Sequence, residues 1–440
     1  MAVSMNWRLV DKENDHGVSI ELVRRTASVA SRNAIYAAIG RILIGILKRL
    51  GKGGLRMSVL RQLGREFLSL DPLKWAFVLA GLSCYRLIKQ MIAGLPSFFR
   101  ITEKAAALLS GCICALPALV MNRETRTDLS LYVFVRALHS FCVGRVVPLL
   151  PKPMREFEYY DILTMCLSAS QILYSVVFAP FSMPPSYQQF LSKVSMLDNR
   201  LVRGHAGLAR YQLVPELVEL CMEKGLSIPE SPKEHFKIGC HYAHSGISCN
   251  QFYFSFICKN MLQVGLPLYF PLKLVTTLLF QQKELKRRPL KVLRGAVRSV
   301  LLSSLFLALY SGSTVRFACF AAQGNIRGGI YFALTCSLAG IATLLEPKGR
   351  RMDLALYCLM YALRSFVITQ YRLGRIPYPR HDFVFLLYLF SIGFLFFQYD
   401  REPEKLNSRV RSIIVNLLGE KQSSNHGLKA AEVSEGPRKG

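Results

Sequence analysis

Phe383–Tyr399, FVFLLYLFSIGFLFFQY, runs for 17 residues without one charged side chain. A helix built from it is apolar on every face and has to be covered on all sides by lipid or by other helices. In hydrocarbon the backbone amides must be satisfied within the segment, which leaves the α-helix as the conformation for an isolated run of this length. Seven further segments read as spans: Leu73–Leu95, Ala105–Met121, Leu129–Leu150, Ile162–Phe181, Val297–Phe320, Gly328–Leu345 and Leu354–Tyr371. Each falls near the roughly 17–25 residues that cross a bilayer. Of the 440 residues 51% are hydrophobic and only 19% charged, against about 25% charged in soluble domains. The expected fold is all-α and polytopic.

Two of these segments are nearly the same text. DLSLYVFVRALHSF at Asp128–Phe141 and DLALYCLMYALRSF at Asp353–Phe366 agree at eight of fourteen positions. The same offset places Arg126 on Arg351 and Tyr85 on Tyr310, and Asp161 and Asp382 each open the fourth span of their half. Order, spacing and flanking charge agree over four spans, which reads as an internal duplication. An even number of spans per half makes the two repeats parallel. The expected organisation is a basic N-terminal region with an amphipathic helix (1–74), a first four-span repeat (75–181) and a polar linker with a Cys/His entry segment (182–253). An amphipathic helix with a basic collar (254–295), a second four-span repeat (296–400) and a basic polar tail (401–440) follow. Ala34–Leu50 reads as interfacial, since Arg41, Lys48 and Arg49 interrupt its apolar stripe.

The charge balance is strongly basic, with 56 Lys and Arg against 28 Asp and Glu. The cations sit in short connections between apolar segments, so they point to anionic lipid headgroups rather than to nucleic acid. The KELKRRPLKVLR collar, the KGRR loop and the EKLNSRVRS tail share one side, which places both termini in the cytosol or its topological equivalent. Small residues recur at helical spacing in the second span of each half, Ala107, Gly111 and Ala115 in one, Gly329, Ala333, Ser337 and Gly340 in the other. They let helix backbones approach closely, within the chain or against another membrane subunit.

Arg136 and His139, with Arg364 in the second half, lie inside apolar segments. A central arginine costs about 2.5–3.5 kcal/mol on insertion scales, so each requires an acid, a carbonyl or water nearby. Asp161 and Asp382 are the candidate acids. These five residues are the intramembrane polar candidates, either as structural pairs or as the lining of a conduit. CHYAHSGISC, with Cys240, His241, His244 and Cys249, is the one stretch with metal-ligand chemistry, and His235 precedes it. Its spacing matches no standard zinc finger, so an interfacial structural loop is the expected role and no metal or other cofactor is assigned. Most of the 12 cysteines lie in apolar segments, where a thiol is a small apolar side chain. HExxH, GxSxG and phosphate-loop motifs are missing, and no catalytic residue is assigned. The expectation is a protein that is not an enzyme.

MDLALYCLMYALRSFVITQYRLGRIPYPRHD resembles the corresponding stretch of the transmembrane protein 135 family and of the peroxisomal membrane protein 4 family. The resemblance rests on Tyr357, Gly374, Ile376, Pro377 and Asp382. GCHYAHSGISCNQFYFSFICKNMLQVGLPLYFPLKL is similar to the cysteine-rich entry segment of the first of these. Two repeats with such a segment favour the transmembrane protein 135 family, which is related in pattern to the channel subunits of mitochondrial inner-membrane translocases. The resemblance implies a multi-pass protein of the peroxisomal membrane, with the mitochondrial membrane as the alternative, acting in lipid metabolism and organelle dynamics. The residues alone leave open a transporter or pore for a small metabolite or lipid, using the intramembrane Arg, His and Asp side chains.

Overall fold

The computed structural model describes residues 19–50, 70–95, 101–210, 212–228, 237–324, 328–378 and 380–420. Residues 1–18, the basic stretch at 51–69, His235, Arg327 and the end of the tail at 421–440 lie outside the described residues. Among the described residues the regular structure is helical throughout. Seven helices there are long and apolar enough to cross a membrane, eight if a bent pair counts as one span. The chain therefore has the helices of a multi-pass membrane protein. It divides into two compact units, 1–151 with 379–440, and 152–378.

In the first unit α1 (Ile20–Leu50) lies along α2 (Asp71–Ser83). It starts well before the expected Ala34. Its anchors are polar: Asn33 donates to Ser83 Oγ and to the Leu417 carbonyl, and Arg41 pairs with Asp71 at 3.1 Å. The expected first span is broken, because α2 and α3 (Tyr85–Ala93) meet at Cys84 with a bend of 43°. The bend aims two polar side chains of α3 inward. Tyr85, fully buried, donates to Asp400 Oδ2 at 2.6 Å, and Lys89 pairs with the same oxygen at 2.6 Å. Thr102 caps α4 (Glu103–Ala115) and Asn122 caps α5 (Arg123–Phe141), each accepting from a backbone N–H three residues on. The unit is closed by α16 (His381–Arg401), which packs on α4 and α5, and by α17 (Ser408–Leu418), which packs on α1 and α2.

The second unit holds α6 (Tyr160–Phe178), α7 (Pro185–Ser195), α8 (Asn199–Leu208), α9 (Pro215–Glu223), α10 (Ile238–His244), α11 (Cys249–Asn260), α12 (Leu266–Phe280), α13 (Pro289–Gln323), α14 (Gly329–Ser337) and α15 (Lys348–Arg372). Its membrane core is α6 against α14 and α15, joined by Ser175, Ser182 and Ser365, whose hydroxyls meet in one buried cluster. The amphipathic helix expected within 254–295 is continuous with the segment before it. With α11 it forms one apolar stretch, Cys249–Leu278, because a π turn at Met261–Gly265 absorbs the step to Pro267. Gly265 permits it, since a Cβ there would stand 2.9 Å from the Ser304 Cα of α13. The polar linker 182–253 is also folded: Leu201, Leu208, Leu217 and Leu220 bury their side chains together, with Ala321 and Ala322 of α13.

The units cut across the two halves of the sequence. Each takes its first three spans from one half and its fourth from the other: α16 closes the unit of α2–α5, and α6 closes the unit of α13–α15. Contact runs through the small residues. A Cβ on Gly111 would fall 2.7 Å from the Gly393 Cα of α16, and one on Gly340 would fall 2.8 Å from the Cys166 backbone of α6. Ala107 and Ala115 are fully buried within their unit. Positions aligned by the repeat make matching contacts, Arg126 to the Leu119 carbonyl at 3.5 Å and Arg351 to the Leu344 carbonyl at 2.7 Å. Both second spans finish as 3-10 helix, Leu116–Val120 and Leu338–Leu345. Of the two, Glu103–Val120 is among the helices long enough to cross a membrane, whereas Gly329–Leu345, expected as a span, is a shorter apolar helix.

Gly111→Leu is expected to destabilise the protein by about 1–3 kcal/mol or more, through forced separation of α4 and α16. Gly349→Leu, where a side chain meets open space, serves as the control and should stay within about 0.5 kcal/mol of wild type. Thermal unfolding in detergent reads both, and equal melting of the two variants would contradict the packing described.

Candidate functional site

The second unit gathers chemistry at one end of α13. Helix α10 carries Cys240 and His244 four residues apart, on one helix face. The chain then reverses through Gly246, whose φ of +81° only glycine adopts without strain, and Ser248 opens α11 in a capping box with Gln251. That turn brings Cys249, the first residue of α11, back over His244. Cys319, from the penultimate turn of α13, completes the group. The Sγ and imidazole nitrogen atoms of Cys240, His244, Cys249 and Cys319 all lie within 4.8 Å of one another. His244 Nε2 faces Cys319 Sγ at 3.6 Å, and its Nδ1 lies 3.1 Å from the Ile247 carbonyl. Gln323 donates to Cys249 Sγ at 3.1 Å, and the Phe252 ring lies beside the imidazole at 4.8 Å. The hydrogen bond from Cys319 holds the Cys240 thiol below the usual thiol range. His241 is outside the group; Cys319 takes the place that the sequence gave it.

Two of these residues, Cys240 and Cys319, line a cavity. It has a volume of about 430 Å³ and is walled by α6, α7, α8, α10 and α13, with Phe332 of α14. Leu173, Val177, Leu201, Ala318 and Phe332 make it mainly apolar, and Cys240 and Cys319 form part of its wall. Its polar groups are hydroxyls, amides, the Arg203 guanidinium and the His205 imidazole, and no carboxylate is among the lining residues described. The His205 ring packs on Phe332 with centroids 5.1 Å apart, and burial pushes its pKa down to about 4. A volume of several hundred Å³ with sparse polar groups fits one small molecule or one hydrocarbon chain.

The intramembrane candidates are placed elsewhere. Arg136 of α5 donates to the Tyr132 hydroxyl at 2.8 Å and lies 4.2 Å over that ring, so an aromatic one turn back meets much of its need. His139 is half-buried on the same helix. Asp161 turns its carboxylate onto the N–H of Ile162 at the start of α6. Arg364 is half-buried in α15 and Asp382 is exposed at the start of α16. None of the five lines the cavity. Tyr357 packs edge-on to Tyr361, which stacks on Tyr187 at 3.8 Å. Gly374 takes φ +70° just past α15, and Pro377 is exposed in the loop that follows. Sequence reasoning missed Cys319, which reads as one more apolar thiol; the signal was a set of metal-type donors with no distant partner. It also missed Asp400, the acid that Lys89 and Tyr85 share.

No protein-family model matches the chain, and neither a curated protein nor a solved structure does.

The low pKa of His205 has a pH signature. The folded protein keeps this imidazole neutral, whereas the unfolded chain takes up a proton near the ordinary value of about 6.5. Stability is therefore lost as pH falls from about 6.5 toward 4, and the group contributes no slope above that window. His205→Leu is expected to flatten the dependence of unfolding temperature on pH within it. Identical slopes for the two proteins would contradict the assignment.

Proposed function

We propose that the protein is a non-enzymatic, multi-pass organellar membrane protein that holds an anionic amphiphile, a fatty acyl chain or a lipid of that type, in the cavity of its second unit. The cavity carries this reading. It is apolar over most of its wall and presents the Arg203 cation, and no carboxylate is among its described lining residues. An apolar tail with an anionic head matches that distribution.

The cellular setting is proposed from the sequence. Tyr357, Gly374, Ile376, Pro377 and Asp382, with the entry segment from Cys240, favour a relative of the transmembrane protein 135 family. On that reading the protein is a member of the peroxisomal membrane, or of the mitochondrial one, and acts in lipid metabolism and organelle dynamics. The architecture is then two parallel four-span repeats whose fourth helices are exchanged. The alternative, a conduit lined by Arg136, His139, Asp161, Arg364 and Asp382, draws less support. Arg136, His139 and Asp382 belong to the first unit, Asp161 and Arg364 to the second, and the cavity includes none of them.

Titration of the purified protein with a fluorescent fatty acid tests the reading. Saturable binding of about one probe per chain is expected, weakened at least about tenfold by Ala318→Trp, which fills the cavity. Binding that is absent, or saturable but unchanged in Ala318→Trp, would overturn it. A tagged copy should co-stain with a peroxisomal or mitochondrial marker, and staining confined to the plasma membrane would remove the proposed location.

A further inference from the structure

We propose that Cys240, His244, Cys249 and Cys319 bind one zinc ion in a closed, structural Cys3His site. The inference does not depend on what the cavity holds.

The distances fit the ion. Tetrahedral zinc with Zn–S near 2.3 Å and Zn–N near 2.0–2.1 Å requires S···S separations of about 3.8 Å and S···N of about 3.5 Å. The four donor atoms lie within 4.8 Å of one another, and the Cys319 Sγ to His244 Nε2 distance is 3.6 Å. Two or three thiolates this close would repel one another unless a cation stood between them, and zinc supplies that charge. Soft thiolates with one imidazole suit zinc and leave hard cations such as magnesium and calcium without oxygen ligands.

The surroundings are those of a metal ligand set. A ligating imidazole typically donates its second N–H to a backbone carbonyl, which fixes the tautomer and turns the other nitrogen to the ion. His244 Nδ1 stands 3.1 Å from the Ile247 carbonyl, and Nε2 faces the thiols. The Gln323 amide donates to Cys249 Sγ, as groups outside the ligand shell do for thiolates. Charge also balances. Three thiolates and a neutral imidazole around Zn2+ leave one net negative charge, and Arg316 on α13 lies close enough to act electrostatically on both Cys240 and Cys249. Arg316 Nη1 is buried without a hydrogen-bond partner among the described residues. A cation in that position is accounted for by an anionic centre beside it.

All four coordination positions are filled by the protein, so the site is structural and keeps none open for a substrate. On binding, the three thiols release their protons to solvent. The ion ties α10 and the start of α11 to α13, and so fixes the wall that Cys240 and Cys319 give the cavity. The Cys240 part of that wall is otherwise carried by the seven-residue α10.

Elemental analysis of the full-length protein, purified in detergent under reducing conditions and given one equivalent of zinc, tests the site. About one zinc per chain is expected in wild type, His241→Ala and Cys258→Ser, and below about 0.2 in Cys319→Ser and His244→Ala. Wild-type X-ray absorption at the zinc edge, which needs no variant to fold, should give three sulfurs near 2.3 Å and one nitrogen near 2.0 Å. Replacement by cobalt should give the thiolate charge-transfer and tetrahedral ligand-field bands. Wild type without zinc, a zinc edge with fewer than three sulfurs, a disulfide between any two of the three cysteine sulfurs, or equal loss in His241→Ala and Cys319→Ser would each overturn the proposal. Zinc content and fatty-acid binding are read separately, so either reading can fail alone.

Discussion

At Gly111 and Gly393, helices α4 and α16 approach until no side chain fits between them, and α6 meets the end of the second span of its unit in the same way at Gly340 and Cys166. In lipid there is little hydrophobic drive between helices, so contact area and close backbone approach have to supply the attraction. These two seams therefore decide which helices belong together. Because the fourth helix of each half closes the unit of the other half, the chain is interlaced along its own length. The second unit is continuous in sequence, 152–378, whereas the first is complete only once residues from 379 onward return to it.

The returning helix brings charge as well as surface. Asp400 near the end of α16 takes up Lys89 and the Tyr85 hydroxyl, while Phe396 stacks on the Tyr85 ring at 4.3 Å. Arg86 on the same α3 pairs with Glu420 beyond α17. The polar side chains of the bent first span are thus satisfied by acids more than 300 positions away, and an unsatisfied cation there would cost several kcal/mol. The bend at Cys84 is what turns them toward those acids.

In the second unit α6, the linker helices α7, α8 and α10, and α13 wall the cavity, and Cys240 and Cys319 of the cysteine–histidine group stand at its edge. A binding site for an amphiphile needs a wall that is fixed yet built from a short segment entering the membrane. Four donors converging on one point fix such a segment more economically than packing alone, because a small loop-rich element buries too little surface to hold itself.

Sequence by itself determined the helices. Runs such as Phe383–Tyr399 admit no other regular conformation in hydrocarbon, and the repeated DLxLY segments marked Arg126 and Arg351 as corresponding positions. Local signals such as Thr102, Asn122 and the Ser248 capping box set helix ends within a residue or two, since capping depends on near neighbours only. In the candidate site the sequence marked Cys240, His244 and Cys249, which one short turn joins. It could not mark Cys319 or set aside His241, because which of several apolar-looking cysteines faces that turn depends on how α13 is rotated and where it packs. Nor could it show that α6 and α16 change places. Apolar faces and glycines are alike in both halves, and the choice between them rests on shape complementarity at contacts hundreds of residues apart, which only tertiary packing decides.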